Sequence, residues 1–301
     1  IRDHLPQALW VSVFLSLIVA PLCYFSHLGL GWLGIDGQTA EKSSEYIKMV
    51  AFGFPALGIF MALRYHCQGV GITSPFAVAA VVGFITNIPL NYMFIFGFGD
   101  IPAMGAQGCG IATAISMWLS AIVITVYVLQ KKSLKQYMPP WSPVAPNTSA
   151  IKEILVLGWP VGATMFLETS VFAGIALLVS SLGDTAIGAH QIAFNVWDMF
   201  YIPMLAIGSA MATRMGHALG AQNQQGVFMA LKAGILCSGI ISLTTMAVLL
   251  TLPIAIVSIY SESPDITLLA ARLLSLAALF VIIDAVQIVG SFSMRAYKKT
   301  R

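Results

Sequence analysis

Charge is what this sequence has least of. Only 9% of its 301 residues are Asp, Glu, Lys or Arg, against 58% hydrophobic, and the mean hydropathy is +0.87. Soluble domains carry about 25% charged and roughly 45–50% apolar residues, so a water-soluble globule is excluded. Cysteine is scarce as well: Cys23, Cys67, Cys109 and Cys237 are scattered without a close-spaced pair, which suggests neither a disulfide framework nor a zinc site. No HExxH, GxSxG or phosphate-binding glycine loop is present, and an intramembrane enzyme has little support. Nothing resembles a cleaved signal peptide. The chain opens on Ile1 instead of Met and is expected to be a piece of a longer protein.

What the sequence has in abundance is long apolar runs. A hydrocarbon core about 30 Å thick takes ~20 apolar helical residues to cross, and eight runs of that length occur, near 7–25, 46–65, 76–97, 107–129, 154–182, 186–212, 229–252 and 267–292. A spanning barrel would show alternating segments of about ten residues, and these runs are continuous. The fold class is therefore all-α and polytopic, with eight transmembrane helices. Cationic loops stay in the cytoplasm. On one side of the eight spans lie Arg2, Arg64, Lys131, Lys132, Lys135, Lys152, Arg214, Lys232, Arg295, Lys298, Lys299 and Arg301; on the other only Lys42, Lys48 and Arg272. Both ends are expected in the cytoplasm. The net charge of +3 reports topology, and no nucleic-acid partner is expected. His4, His66 and His217 fall at the cytoplasmic ends, His27 just past the first span and His190 at the start of the sixth, where interfacial roles are expected.

Between the fourth and fifth spans, Pro139, Pro140, Pro143 and Pro146 sit among lysines. Such proline density suits an exposed linker and divides the chain into 1–138, part of an N-terminal lobe, a cytoplasmic linker at 139–153, and 154–301, part of a C-terminal lobe. At an offset of 223 the first span lies over the seventh and the second over the eighth. This weak internal repeat implies about twelve spans in two six-helix lobes, a plan common in secondary transporters.

Three spans carry a carboxylate. Inserting one at a helix centre costs about 2.5–3.5 kcal/mol, so such a group usually faces a cavity and is functional. Glu168 is midway along the fifth span, after Thr164 and Pro160. Asp284 lies deep in the eighth, with Gln287 and Ser291 on its face. Asp198 closes a stripe with Gln191 and Asn195 in the sixth, near Pro203. Converging faces of this kind make a site for a proton or a hard monovalent cation; alternatively each carboxylate is capped by hydroxyls or amides and only holds helices together. For Asp198 the two readings stand level. In the first half, Asn87 and Asn91 are four apart around Pro89, either to contact a solute or to tie together a kinked helix. The small residues at 105–114 permit close helix approach. Met199, Phe200, Tyr201 and Met204 are either core or the lining of an adaptable apolar cleft. No span is expected to hold a buried Arg or Lys, which disfavours a flippase for lipid-linked oligosaccharide, since that cargo's pyrophosphate wants a cationic cavity. Rings of repeated polar residues, as a channel would want, are missing too.

The stretches "TNIPLNYMFIFG", "GAQGCGIATAI", "LGWPVGATMFLETSVFA", "GAHQIAFN", "RMGHALG" and "DAVQIVGSFSMRAYK" resemble, in order and spacing, the multidrug and toxic compound extrusion family, in its NorM-like bacterial branch. The resemblance covers essentially the whole chain. It implies the third to tenth helices of a twelve-helix, two-lobe antiporter of the bacterial inner membrane, monomeric, exporting small organic cations or amphiphilic drugs in exchange for Na+ or H+, without a further cofactor. It makes Glu168 and Asp284 the cation-site carboxylates of the C-terminal lobe, holding Na+ if the exchange is sodium-coupled. Asn87 and Asn91 become polar residues of the N-terminal lobe cavity. Apart from the resemblance, Asn195, Met199, Phe280 and Gln287 are expected to line the substrate cavity. Asp198 stands where relatives would carry a small polar residue, so its place in the cation site is open.

Overall fold

The structure, a computed structural model, describes residues 4–26, 37–135, 137 and 144–298. Arg2, His27, Asp36, Pro139, Pro140, Pro143, Lys299 and Arg301 lie outside the described residues. Inside lipid a backbone must close its hydrogen bonds within its own segment, and the apolar runs accordingly form helices. They are α1 (His4–Tyr24), α2 (Gly37–Ala51), α3 (Phe54–Gly69), α4 (Ser74–Phe96), α5 (Gly105–Gln130), the short α6 (Lys132–Lys135), α7 (Thr148–Ser180), α8 (Asp184–Gly220), α9 (Gln224–Thr251), the short α10 (Pro253–Val257) and α11 (Pro264–Ala296). Among the described residues seven helices are each long and apolar enough to cross a membrane, and a bent pair makes an eighth span.

That pair corrects the expected continuous span at 46–65. The chain turns by 52° between Ala40–Ala51 and Phe54–Gly69. Pro55, at the start of α3, has no N–H for the Ala51 carbonyl and its ring would clash there, so the helix stops at Ala51. Phe52 and Gly53 close tight i→i−3 bonds instead, onto Met49 (3.3 Å) and Val50 (2.8 Å). The Trp118 indole of α5 donates to the Phe52 carbonyl at 3.0 Å, satisfying an acceptor that the break releases. Trp118→Phe should cost about 0.5–1.5 kcal/mol, read as a shift of the denaturant midpoint of unfolding; an unshifted midpoint would show that this carbonyl is satisfied without the indole. By contrast α7 and α8 run unbroken through Pro160 and Pro203.

The chain forms two compact units, Ile1–Ile154 and Leu155–Arg301, with the boundary inside α7. In the first, Leu5, Leu63, Cys67, Ala79, Ile124, Val128 and Leu134 form the core. The described part of the proline-rich segment is tethered to α1: the Gln7 amide, 2% exposed, donates to the Ala145 carbonyl (3.2 Å) and accepts from the Asn147 N–H (2.8 Å). The Trp10 indole donates to the Val144 carbonyl at 3.0 Å, and His4 lies 3.7 Å from Glu153. Gly108, Gly110, Ala112 and Ala114 are buried along α5. A Cβ at Gly110 would sit 2.6 Å from the Tyr46 carbonyl oxygen of α2, which measures how closely the backbones approach.

Two sequence expectations change in this unit. His66 is 8% exposed, not solvated, because it falls a turn inside the end of α3 beside Leu63 and Cys67. Arg64 is half-buried, and its Nε is wholly buried, so a cation does sit inside a span.

In the second unit α8, α9, α10 and α11 pack around Ala189, Ala193, Val196, Met204, Leu249, Val257, Ala270, Leu274, Ala278, Val281, Ala285 and Ile288. On α11 the buried positions 270, 274, 278, 281, 285 and 288 recur at spacings of three and four, which is one helix face. Alanine leads that face because helices in lipid associate through close packing, not through a hydrophobic drive. Met204, 1% exposed, belongs to this core and not to a cleft. α7 differs from every neighbour in packing: none of its residues is buried.

Candidate functional site

Three helices of the second unit bring the carboxylates together. Glu168 on α7 is exposed, and its Oε1 accepts a hydrogen bond from Gln287 Nε2 of α11 at 3.3 Å. Gln287 lies one turn beyond Asp284, so this bond ties the Glu168 segment to the Asp284 face. Asp284 is half-buried, with the Trp197 side chain of α8 beside its carboxylate. The two acids thus share α11 as a common wall, one through Gln287 and the other directly.

α8 supplies the third wall, as a ladder of rings. His190 and Phe194 lie 6.5 Å apart, Phe194 and Trp197 6.1 Å, and Trp197 and Tyr201 4.5 Å with the rings 20° from parallel. Phe172 of α7 caps the ladder at 5.2 Å from Phe194 and 5.7 Å from Trp197. The Tyr201 hydroxyl lies within electrostatic reach of Glu168, Asp284 and Asp198, and of the Arg295 guanidinium. Ring faces are electron-rich and attract cations, so carboxylates beside stacked rings suit a positively charged solute. Sequence reasoning weighed Tyr201 only as core or cleft and did not single out Phe172, Phe194 or Trp197. Their signal was present, since His190, Phe194, Trp197 and Tyr201 recur at spacings of four, three and four, a helical stripe.

The remaining residues divide. Asn195, Met199, Phe280 and Gln287 are exposed, Met199 at 66% and Phe280 at 58%, and Phe280, Asp284 and Gln287 follow one another along one face of α11. Asp198 is half-buried on α8, one turn before Tyr201.

In the first unit Asn87 and Asn91 form a directional chain. Asn91 Nδ2 donates to Asn87 Oδ1 at 2.8 Å, Asn87 Nδ2 to Ser116 Oγ at 3.2 Å, and Ser116 Oγ to the Ala112 carbonyl at 2.8 Å. The first bond runs along α4, the second crosses from α4 to α5, and the third runs along α5. The acceptor left over, Asn91 Oδ1, is buried without a partner among the described residues, so this end of the chain is set to receive a donor or a cation. Among the described residues no group of three His, Cys, Asp or Glu side chains is placed to hold a metal ion. A cation here would instead take one or two carboxylate oxygens, amide oxygens and water.

Acids and amides at mid-span, in helices otherwise made of Ala, Leu, Ile and Val, define a polytopic membrane protein with polar sites inside both of its helical units. Comparison with known proteins agrees and goes further. The MatE family model matches residues 1–93 and 160–301. The multidrug resistance protein NorM of Photobacterium profundum is 34% identical over 306 residues, covering 100% of this chain and 67% of that protein. The multidrug resistance protein MdtK of Photorhabdus laumondii is 33% identical over 304 residues, covering 100% and 66%. Among solved structures, the eukaryotic MATE transporter AtDTX14 superposes with a TM-score of 0.88 at 19% identity, covering 99% of this chain and 66% of that one. An outward-facing multidrug resistance MATE transporter superposes with a TM-score of 0.80 at 19% identity, covering 99% and 65%. The chain belongs to the MatE family of membrane transporters. It spans about two thirds of the length of these relatives.

Proposed function

We propose that the protein works as a multidrug efflux antiporter of the bacterial inner membrane, exporting small amphiphilic organic cations in exchange for Na+ or H+ by alternating access. The observation that carries this reading is the Glu168–Gln287 bond beside Asp284 and Trp197. It places two acids on a shared wall, one exposed and one half-buried, with a ring ladder alongside. The multidrug resistance names of the NorM and MdtK relatives support the cargo. The excess of Lys and Arg on one side of the spans supports cytoplasmic ends.

The energies are of the right size. Moving a carboxylate charge between a wet and a dry setting is worth about 2.5–3.5 kcal/mol on insertion scales. Two such acids supply about 5–7 kcal/mol, and ~5.5 kcal/mol carries a two-state equilibrium from 1:99 to 99:1. Binding Na+ or H+ at Glu168 and Asp284 removes that cost in the conformation where they are enclosed, and so selects it. Exchange follows because a ligand shifts an equilibrium only by its differential affinity for the two states. Ring faces and the exposed Met199 and Phe280 give cargo an adaptable apolar surface with few fixed polar contacts, which suits a range of drugs.

The test uses the protein reconstituted in vesicles loaded with a fluorescent organic cation. An imposed inward Na+ or proton gradient should accelerate its exit about tenfold or more over vesicles without a gradient, and an ionophore specific for the coupling ion should abolish the acceleration. Exit at one rate with and without either gradient rules the exchange out.

A further inference from the structure

Arg64 presents a problem that the transport site does not answer. Its guanidinium carries five N–H donors, yet the hydrogen bonding described for it is one contact from Nη1 to Met61 Sδ at 4.0 Å, a weak acceptor. Its Nε is buried and has no partner among the described residues. Rings hold the group in place: Cζ lies 4.8 Å from the centroid of Phe76 on α4 and 5.6 Å from that of Tyr65. Among the described residues no ion pair is recorded for it. A cation taken partly out of water, oriented by stacking and short of acceptors, is costly unless an anion completes it.

A second cation lies at the same end of the unit. Lys131, immediately after α5, is held by Ser74 Oγ at 2.6 Å and stacks 5.3 Å from the Tyr127 ring. Ser74 opens α4 two residues before Phe76, the ring under Arg64. Lys131 also lies within electrostatic reach of Cys67, one turn beyond Arg64 on α3. Both charges therefore lie at the end of the unit where α3 and α5 finish and α4 begins. Apolar surface adjoins them: Tyr65 is 62% exposed, and along α4 Val81, Phe84 and Ile85 are 55%, 69% and 59% exposed.

We propose that Arg64 and Lys131 together bind the phosphate of an anionic phospholipid at this end of the first unit. A guanidinium fork offers two parallel N–H donors to phosphate oxygens, and an ammonium adds a point charge that needs no set direction. The exposed apolar face of α4 argues for a lipid as the source of the phosphate, since acyl chains can lie against it while the headgroup reaches the cations. The interfacial aromatics Tyr65 and Tyr127 are at home at headgroup depth.

The test is native mass spectrometry of the delipidated protein with dioleoyl phosphatidylglycerol, against dioleoyl phosphatidylcholine of the same chain length. Each cation near an anionic headgroup contributes about a fivefold gain in affinity. The parent protein should therefore prefer phosphatidylglycerol by about 25-fold, Arg64→Gln and Lys131→Gln should each keep about a fivefold preference, and the double variant none. Arg64→Lys should fall between parent and Arg64→Gln. Lys152→Gln, an exposed cation of α7, should match the parent. Millimolar inorganic phosphate should leave the bound lipid in place. A parent without preference overturns the proposal, as does a double variant that keeps it, or a site that free phosphate empties. Should Arg64→Gln fail to fold, Lys131→Gln and the parent's own preference decide the matter.

Discussion

Glu168→Gln and Asp284→Asn each bring gradient-driven efflux of an organic cation to within about tenfold of the protein-free leak, while the protein still inserts and stays helical. The reasoning starts from geometry. Glu168 meets α11 through its bond from Gln287, and Asp284 sits beside the Trp197 side chain. An amide keeps the size and most of the hydrogen bonds but removes the charge that the proposed exchange requires a coupling ion to neutralise. The lost term, about 2.5–3.5 kcal/mol for each acid, amounts to about 60- to 300-fold in the equilibrium between conformations, since ~1.4 kcal/mol is tenfold. Binding of the drug without a gradient should change far less, because adaptable apolar and ring surface carries it. Vesicle flux and equilibrium binding, measured on the same preparations, separate the two effects. Variants that pump at the parent rate would falsify the assignment of both carboxylates.

Gly108→Ala should be the most damaging single methyl in the first unit. A Cβ there would run into the Phe94 carbonyl oxygen and lie 2.5 Å from the Phe94 carbonyl carbon. Those atoms are backbone, at the end of α4, and they also accept the Met104 N–H at 2.9 Å, so no side-chain rotation relieves the clash. Overpacking of this kind costs about 1–3 kcal/mol and sometimes more, and the upper figure is expected here. The contrast is Gly162→Ala on α7, where a Cβ meets nothing within 4 Å. Replacing a mid-helix glycine by alanine then adds about 0.5–1 kcal/mol of stability. Unfolding midpoints of the two variants should move in opposite directions; movement together would mean that the tight α4–α5 approach is not a constraint in the native state.

How much of this was readable without coordinates depends on the range of the interaction. Spans were legible because lipid leaves an apolar run of about twenty residues no other fold. The pairing of Asn91 with Asn87 was legible too, being a matter of i and i+4 on one helix. The break at Phe52 was not, although Pro55 was in plain view, because hydropathy averages across a bend and both flanking helices are apolar. Glu168 and Asp284 stood out by being charged. Gln287, which links them, lies 119 residues from Glu168, and no local pattern announces a contact of that separation. Arg64 was misjudged for a related reason. Position near a span's end suggests an exposed cation, and only the stacking of Phe76 from the next helix shows that it is partly enclosed.

Nothing on α7 is buried, and the contacts described between it and α8 and α11 include one amide-to-carboxylate bond and the ring of Phe172 lying against Phe194 and Trp197. An element held so lightly is cheap to displace, since no well-filled cavity has to be emptied first. Its fastening is also chemically addressable: whatever neutralises Glu168 changes the charge at the very latch that holds the helix. On the exchange proposed above, a single small ion at Glu168 acts on a thirty-three-residue rod, with the aromatic contact as its pivot.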